Sequence, residues 1–95
     1  MSELLRSCVR VKVFGHVQGV WYRAWVKREA SARGLDGWVR NRQDGSVEAI
    51  FAGTEVEVEE MIEICKLGPP SAKVAGINCS PAKFCDLGFS ILATL

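Results

Sequence analysis

The segment Gly15-His16-Val17-Gln18-Gly19-Val20, followed closely by Arg23, gathers the residues best suited to holding an anion. It joins an alternating apolar run to a helical one. Backbone N–H groups released at the turn and at the helix start can therefore converge on one concavity, which is how proteins bind phosphate without a metal. Gly15 and Gly19 admit dihedrals and close approaches that a side chain forbids. Arg23, in the first helical turn, would add a planar, permanently charged, bidentate clamp. A cation there opposes the helix dipole, which favours negative charge at that end, and a bound anion would offset the cost. The local alternative is an ordinary glycine turn beside a solvated arginine.

Asn41 is the second candidate. Flanked by Arg40 and Arg42 and followed by Gln43-Asp44-Gly45, it reads locally as a turn residue capping its own backbone. If its strand approaches the start of the first helix, the amide could instead hold a water by donating and accepting hydrogen bonds. His16 lacks a neighbour to position it and reads as a partly exposed loop residue rather than a proton-transfer group. Trp21 and Tyr22 flank Arg23 and could line a pocket for the rest of a ligand, but buried helix-face aromatics are the expected reading. Cys8, Cys65, Cys79 and Cys85 form no C-x-x-C pair, and with one histidine they do not suggest a zinc site. Free thiols are expected, one disulfide being the alternative.

These residues require a frame. Val9, Val11 and Val13 alternate with Arg10 and Lys12 from Cys8 to Phe14, the period of a half-buried strand that Gly15 ends. From Trp21 to Arg33 the apolar positions Tyr22, Trp25, Val26 and Ala30 follow helical spacing, with Gly34 at the C-terminal cap. Trp38–Arg42 and Ser46–Ala52 read as a hairpin around Asp44-Gly45. Gly53 closes it. Thr54 and Glu57 fit a capping box ahead of a helix with Val58, Met61, Ile62 and Cys65 on one face, stopped near Gly68 by Pro69 and Pro70. Lys73–Cys79 is a further strand, Ser80–Gly88 a loop containing Pro81, and Phe89–Leu92 a short last strand. The order βαββαβ plus a short C-terminal strand predicts an α+β, ferredoxin-like sandwich, with a mainly antiparallel sheet and two helices on one face.

A chain of 95 residues, 48% hydrophobic, has room for a single domain, residues 1–95. Twelve basic residues against eleven acidic ones give a formal net charge of +1, so no overall field exists to hold nucleic acid or a membrane surface. Charges between Met1 and Val13 interrupt any secretory h-region, and no apolar run approaches the roughly 18 residues of a membrane span. A cytoplasmic, monomeric protein is expected.

Along nearly its full length the sequence resembles the acylphosphatase family. Val13-x-Gly15-x-Val17-Gln18-Gly19-Val20-x-Tyr22-Arg23 is similar to the family's first signature. Gly37-Trp38-Val39-Arg40-Asn41-x-x-x-Gly45-x-Val47, ending at Gly53, is similar to its second. Weaker similarity continues through Gly68-Pro69-Pro70-Ser71-Ala72-Lys73-Val74 and Gly88-Phe89-Ser90-Ile91. Tyr22 stands where phenylalanine or methionine is usual, and Arg42 where a small or apolar residue often follows the asparagine. The resemblance implies hydrolysis of acyl phosphates to carboxylate and inorganic phosphate, with phosphate an inhibitor as well as a product. It also implies no metal or organic cofactor, a phosphate clamp at Arg23 with the 15–20 loop, and a water placed by Asn41.

Other readings keep the fold and change the task. One is a phosphate-binding module like the acylphosphatase-like domain of hydrogenase maturation proteins; the end of the chain at its last strand, Leu95, favours the free enzyme. RNA recognition motifs share the element order, but the corresponding strand here offers only Phe51 for base stacking. A regulatory ferredoxin-like domain that binds a metabolite or pairs through its sheet edge is the third.

Overall fold

The computed structural model describes residues 6–84 and 86–95, so Cys85 lies outside the described residues. The elements are β1 (Arg6–His16), α1 (Tyr22–Ala32), β2 (Asp36–Asn41), β3 (Val47–Thr54), α2 (Glu55–Leu67), β4 (Lys73–Pro81) and β5 (Phe89–Ile91). They form one five-stranded sheet in the order β4-β1-β3-β2-β5. All neighbours are antiparallel except β5, which runs parallel to β2. This is the expected ferredoxin-like arrangement with its extra edge strand.

Strand alternation decides which side of the sheet is dry. Val11 and Val13 of β1 stand opposite Ala49 and Val47 of β3, and Val39 of β2 stands opposite Ala49 from the other side. With Phe51 they form the floor of the core, roofed by Val26 and Ala30 of α1 and by Val58, Met61 and Cys65 of α2. Phe51 is fully buried and stacks on Phe89, ring centroids 5.6 Å apart, so the one aromatic of β3 faces the helices. Tyr22 ties the two helices together: its hydroxyl donates to the Cys65 carbonyl at 2.7 Å. The buried aromatic expected from the sequence thus makes a bond that phenylalanine could not. Burial pushes the Tyr22 phenol up and the Cys65 thiol up to about 12, so both stay protonated.

On the opposite face Glu48 is buried yet charged. Arg10 and Arg40 donate to its carboxylate, the latter at 3.0 Å, and Arg42 adds a bond at 3.3 Å. Burial alone would raise this carboxyl, but the guanidinium bonds and charges outweigh it and hold it below the ordinary range.

Several boundaries differ from the sequence expectation. β1 does not stop at Gly15; it continues through His16, which pairs with Lys73 after a bulge between Phe14 and Gly15. β4 does not stop at Cys79; it runs through Ser80 to Pro81, because an edge strand tolerates a residue without an N–H. The hairpin strands are displaced by one or two residues toward Asp36–Asn41 and Val47–Thr54. α1 closes as expected: the N–H groups of Gly34 and Leu35 donate to Ser31 and Ala30 at 3.0 Å each, a Schellman motif that leaves Leu35 buried in the core. Cys65 and Cys79 carry the expected free thiols, one buried and one exposed. Among the described residues no helix is long and apolar enough to cross a membrane.

Candidate active site

A cavity of about 460 Å³ opens where the chain passes from β1 into α1, lined by Val17, Gly19, Trp21, Tyr22, Arg23, Ala24, Asn41 and Ile91. Of the residues singled out in the sequence, Val17, Gly19, Arg23 and Asn41 meet here. Gly15, His16, Gln18 and Val20 do not line it, and each has another place.

Gly15 belongs to the bulge. Its φ is +126°, and a Cβ there would lie 2.2 Å from the Lys73 carbonyl oxygen and 2.6 Å from the Ala75 nitrogen. The constraint comes from the β4 backbone, which forbids any side chain. His16 follows it, exposed, at the end of β1. The chain then leaves the sheet and is pinned at three points. Val17 is buried in the core. The Gln18 side-chain amide donates to the carbonyls of Arg42 at 2.7 Å and Ser46 at 2.8 Å, tying the loop to the β2–β3 hairpin. The Val20 carbonyl accepts from the Ser71 hydroxyl at 3.0 Å. Only Gly19, with φ +73° and open space around it, is left to face the cavity without a side chain.

The start of α1 is built against the usual rules. The first intrahelical bond runs from the Trp25 N–H to the Trp21 carbonyl, 3.0 Å, so the N–H groups of Tyr22, Arg23 and Ala24 have no acceptor within the helix. No side chain caps them and the first turn contains no acid. The N-cap is Trp21 in the left-handed region, φ 65° and ψ 18°, at a typical backbone cost of about 1–2 kcal/mol. It is the only non-glycine residue with positive φ among the described residues. Trp21 was expected to be buried on the helix face; it is 83% exposed, because its backbone lies outside the helix and turns the ring away from the core. Arg23 is half-buried beside these N–H groups, and among the described residues no carboxylate pairs with it. Free donors, a positive helix end and an unpaired guanidinium make a place for an anion.

Asn41 ends β2 opposite Val47, on the same face as Val39 and therefore toward α1. Its side chain does not cap the turn. Asp44 does that work, accepting from the Ser46 N–H at 2.9 Å and the Ser46 hydroxyl at 2.6 Å; these bonds and Lys12 hold its carboxyl well below the usual range. The Asn41 backbone carbonyl accepts from the Leu95 N–H at 3.2 Å, while its Oδ1 is buried and has no partner among the described residues. An orphaned buried acceptor costs about 1–3 kcal/mol and calls for an explanation. Arg42 does not intrude on the amide. Its guanidinium lies on the far side of the sheet, held by Glu48, and its carbonyl anchors Gln18. Sequence reading missed this framework, since the Gln18 bonds and the Arg10–Glu48 pair join residues far apart in the chain.

The fold and this cavity define a small ferredoxin-like α+β protein that sets an arginine, an uncapped helix start and a buried amide around one space. Residues 9–89 match the acylphosphatase family. An acylphosphatase of Rhodopseudomonas palustris is 50% identical, over all of both chains. The solved acylphosphatase of Coxiella burnetii superposes with a TM-score of 0.88 at 32% identity, covering 97% of this chain and 100% of that one. Full-length HypF, solved in a phosphate- and nucleotide-bound form, matches with a TM-score of 0.87 at 25% identity, covering 98% of this chain but 13% of its own. The chain belongs to the acylphosphatase family, and it is a hydrolase.

Proposed function

We propose that this enzyme hydrolyses acyl phosphates, with the N–H groups at the start of α1 and Arg23 holding the phosphoryl oxygens and Asn41 placing the attacking water. The observation that carries the assignment is the buried, unpartnered Oδ1 of Asn41 in the same cavity as Arg23. An acceptor there can take a hydrogen bond from water and orient a lone pair toward phosphorus. Water attacks phosphorus and the P–O bond to the acyl group breaks. The electron pair leaves on the carboxylate, and the water's proton passes to a phosphoryl oxygen of the substrate. A carboxylate leaves readily, so positioning and charge stabilisation supply most of the rate and neither a protein acid nor a metal is needed. Inorganic phosphate, retaining the oxygens that the clamp recognises, inhibits as well as leaves. We read the enzyme as a cytoplasmic monomer; light scattering tests the second point.

The decisive experiment is hydrolysis of benzoyl phosphate with a chelator present, comparing wild type with Arg23→Ala and Asn41→Ala. Both variants lose at least about a hundredfold, the usual scale when a group that stabilises the transition state is removed. Arg23→Ala also loses inhibition by phosphate, whereas Asn41→Ala keeps it. Full activity in either variant overturns that residue's role, and phosphate binding without wild-type turnover would favour a binding module of the HypF kind.

A further inference from the structure

The groups proposed to hold the phosphate make up only part of the cavity lining. A volume of about 460 Å³ lies in the range of sites that take small organic molecules, and a phosphate has only five heavy atoms. The rest of the lining is apolar: Val17 at the base, Ala24 on α1, and Trp21 and Ile91 facing solvent at 83% and 41% exposure. Trp21 comes from the N-cap of α1 and Ile91 from β5, so two distant segments place exposed apolar side chains on one opening.

The backbone at Trp21 strengthens the case. A left-handed N-cap is a position for glycine or asparagine, and serine, threonine, asparagine or aspartate would be the usual caps for the free N–H groups. An indole there neither caps nor packs into the core, and it holds a conformation that bulky residues avoid. Strain retained at a cavity mouth points to function at that site. The ring also borders a neighbouring groove formed with Val20, Ala24, Trp25, Arg28 and Pro69. An acyl group leaving the clamp would therefore meet one face of the indole and, if longer, could continue across it.

We propose that Trp21, with Ile91, is the specificity determinant for the acyl half of the substrate, and that the enzyme favours flat aromatic acyl phosphates over acetyl phosphate. This rests on the cavity being the acyl phosphate site. An aromatic acyl group stacks on the indole in an offset arrangement and is covered by Ile91. An acetyl group is too small to do either.

The test compares kcat/KM for benzoyl phosphate and acetyl phosphate in wild type, Trp21→Gly, Trp21→Phe and Ile91→Ala. Glycine is chosen because it accepts φ 65° without strain and so preserves the start of α1. Wild type is expected to favour benzoyl phosphate by about tenfold, the ratio one aromatic contact can supply. Trp21→Gly brings the ratio close to one, Ile91→Ala reduces it by about threefold, and Trp21→Phe keeps most of it. A wild type without preference, or a ratio unmoved in Trp21→Gly because both substrates fall equally, overturns the proposal. Calorimetric titration with benzoylphosphonate and acetylphosphonate, whose C–P bond is not cleaved by the reaction, separates the two hypotheses. Should wild type hydrolyse neither acyl phosphate, a preference for benzoylphosphonate that Trp21→Gly abolishes sustains the proposal while the hydrolytic assignment falls. Equal affinities overturn the proposal itself.

Discussion

The two helices of this protein begin in opposite ways. At the start of α2, Thr54 caps in extended conformation: the Glu57 N–H donates to its Oγ1 at 3.3 Å, and its hydroxyl donates to the Glu57 carboxylate at 2.8 Å. This is half of the expected capping box, since the carboxylate takes the hydroxyl rather than the Thr54 N–H. Glu55 and Glu57 place negative charge where the dipole favours it. The start of α1 has a strained tryptophan for a cap, no acid, and Arg23 in its first turn. A helix end that satisfies its own donors has none to offer a ligand. The α2 start satisfies a donor of its own, and the α1 start leaves its donors open.

The comparison can be broken first at Arg23. Arg23→Glu supplies the α1 dipole with the charge it prefers, so thermal unfolding should show the variant equal to or more stable than wild type by about 0.3–1 kcal/mol. Hydrolysis of benzoyl phosphate should nevertheless fall by more than about a hundredfold. A matched loss of stability and activity would show that Arg23 supports the fold rather than the anion.

Phosphate should act on α1 as the missing cap. At about a hundred times its dissociation constant it should stabilise wild type by about 2.7 kcal/mol, read as a higher Tm by calorimetry. Arg23→Ala should lose most of this shift, and a cap mutant at α2 should retain it.

Thr54→Ala should cost about 1 kcal/mol, the usual price of a lost N-cap, and denaturant titration would measure it. The rate of hydrolysis per folded molecule should not change, because Thr54 lies outside the cavity.

The smallest effect is expected at Trp21→Gly. Relief of the left-handed strain, about 1–2 kcal/mol, is offset by the extra freedom of glycine in the unfolded chain, about 0.4–1 kcal/mol. The net gain of about 0.5–1 kcal/mol should raise Tm by a few degrees. A lower Tm would mean that the indole packs usefully despite its exposure.

Much of the fold was legible along the chain. The valines at 9, 11 and 13, the helical spacing of Tyr22, Val26 and Ala30, and the Thr54, Gly34 and Pro69 boundary signals are all local patterns, written in the period of each element. What was misread depends on neighbours. Gly15 looked like the end of a strand because glycine usually is; the β4 backbone beside it, some 60 residues later, makes it a bulge. Trp21 looked like a helix-face aromatic because its spacing allowed it, but a left-handed backbone removed it from the helix.

The site divides along the same line. The sequence by itself determined the residue types that can hold phosphate: a glycine-bearing strand–helix junction with an arginine in the first turn, whose donors are unsatisfied by the geometry of any helix start. The tertiary structure decided where Asn41 stands. Sheet order brings β2 alongside β3 and beneath α1, and strand alternation turns its last residue inward. Asp44 takes over the turn, leaving the amide oxygen buried without a partner. Those are long-range pairings, and no local pattern in the chain encodes which residue a strand will meet across the sheet.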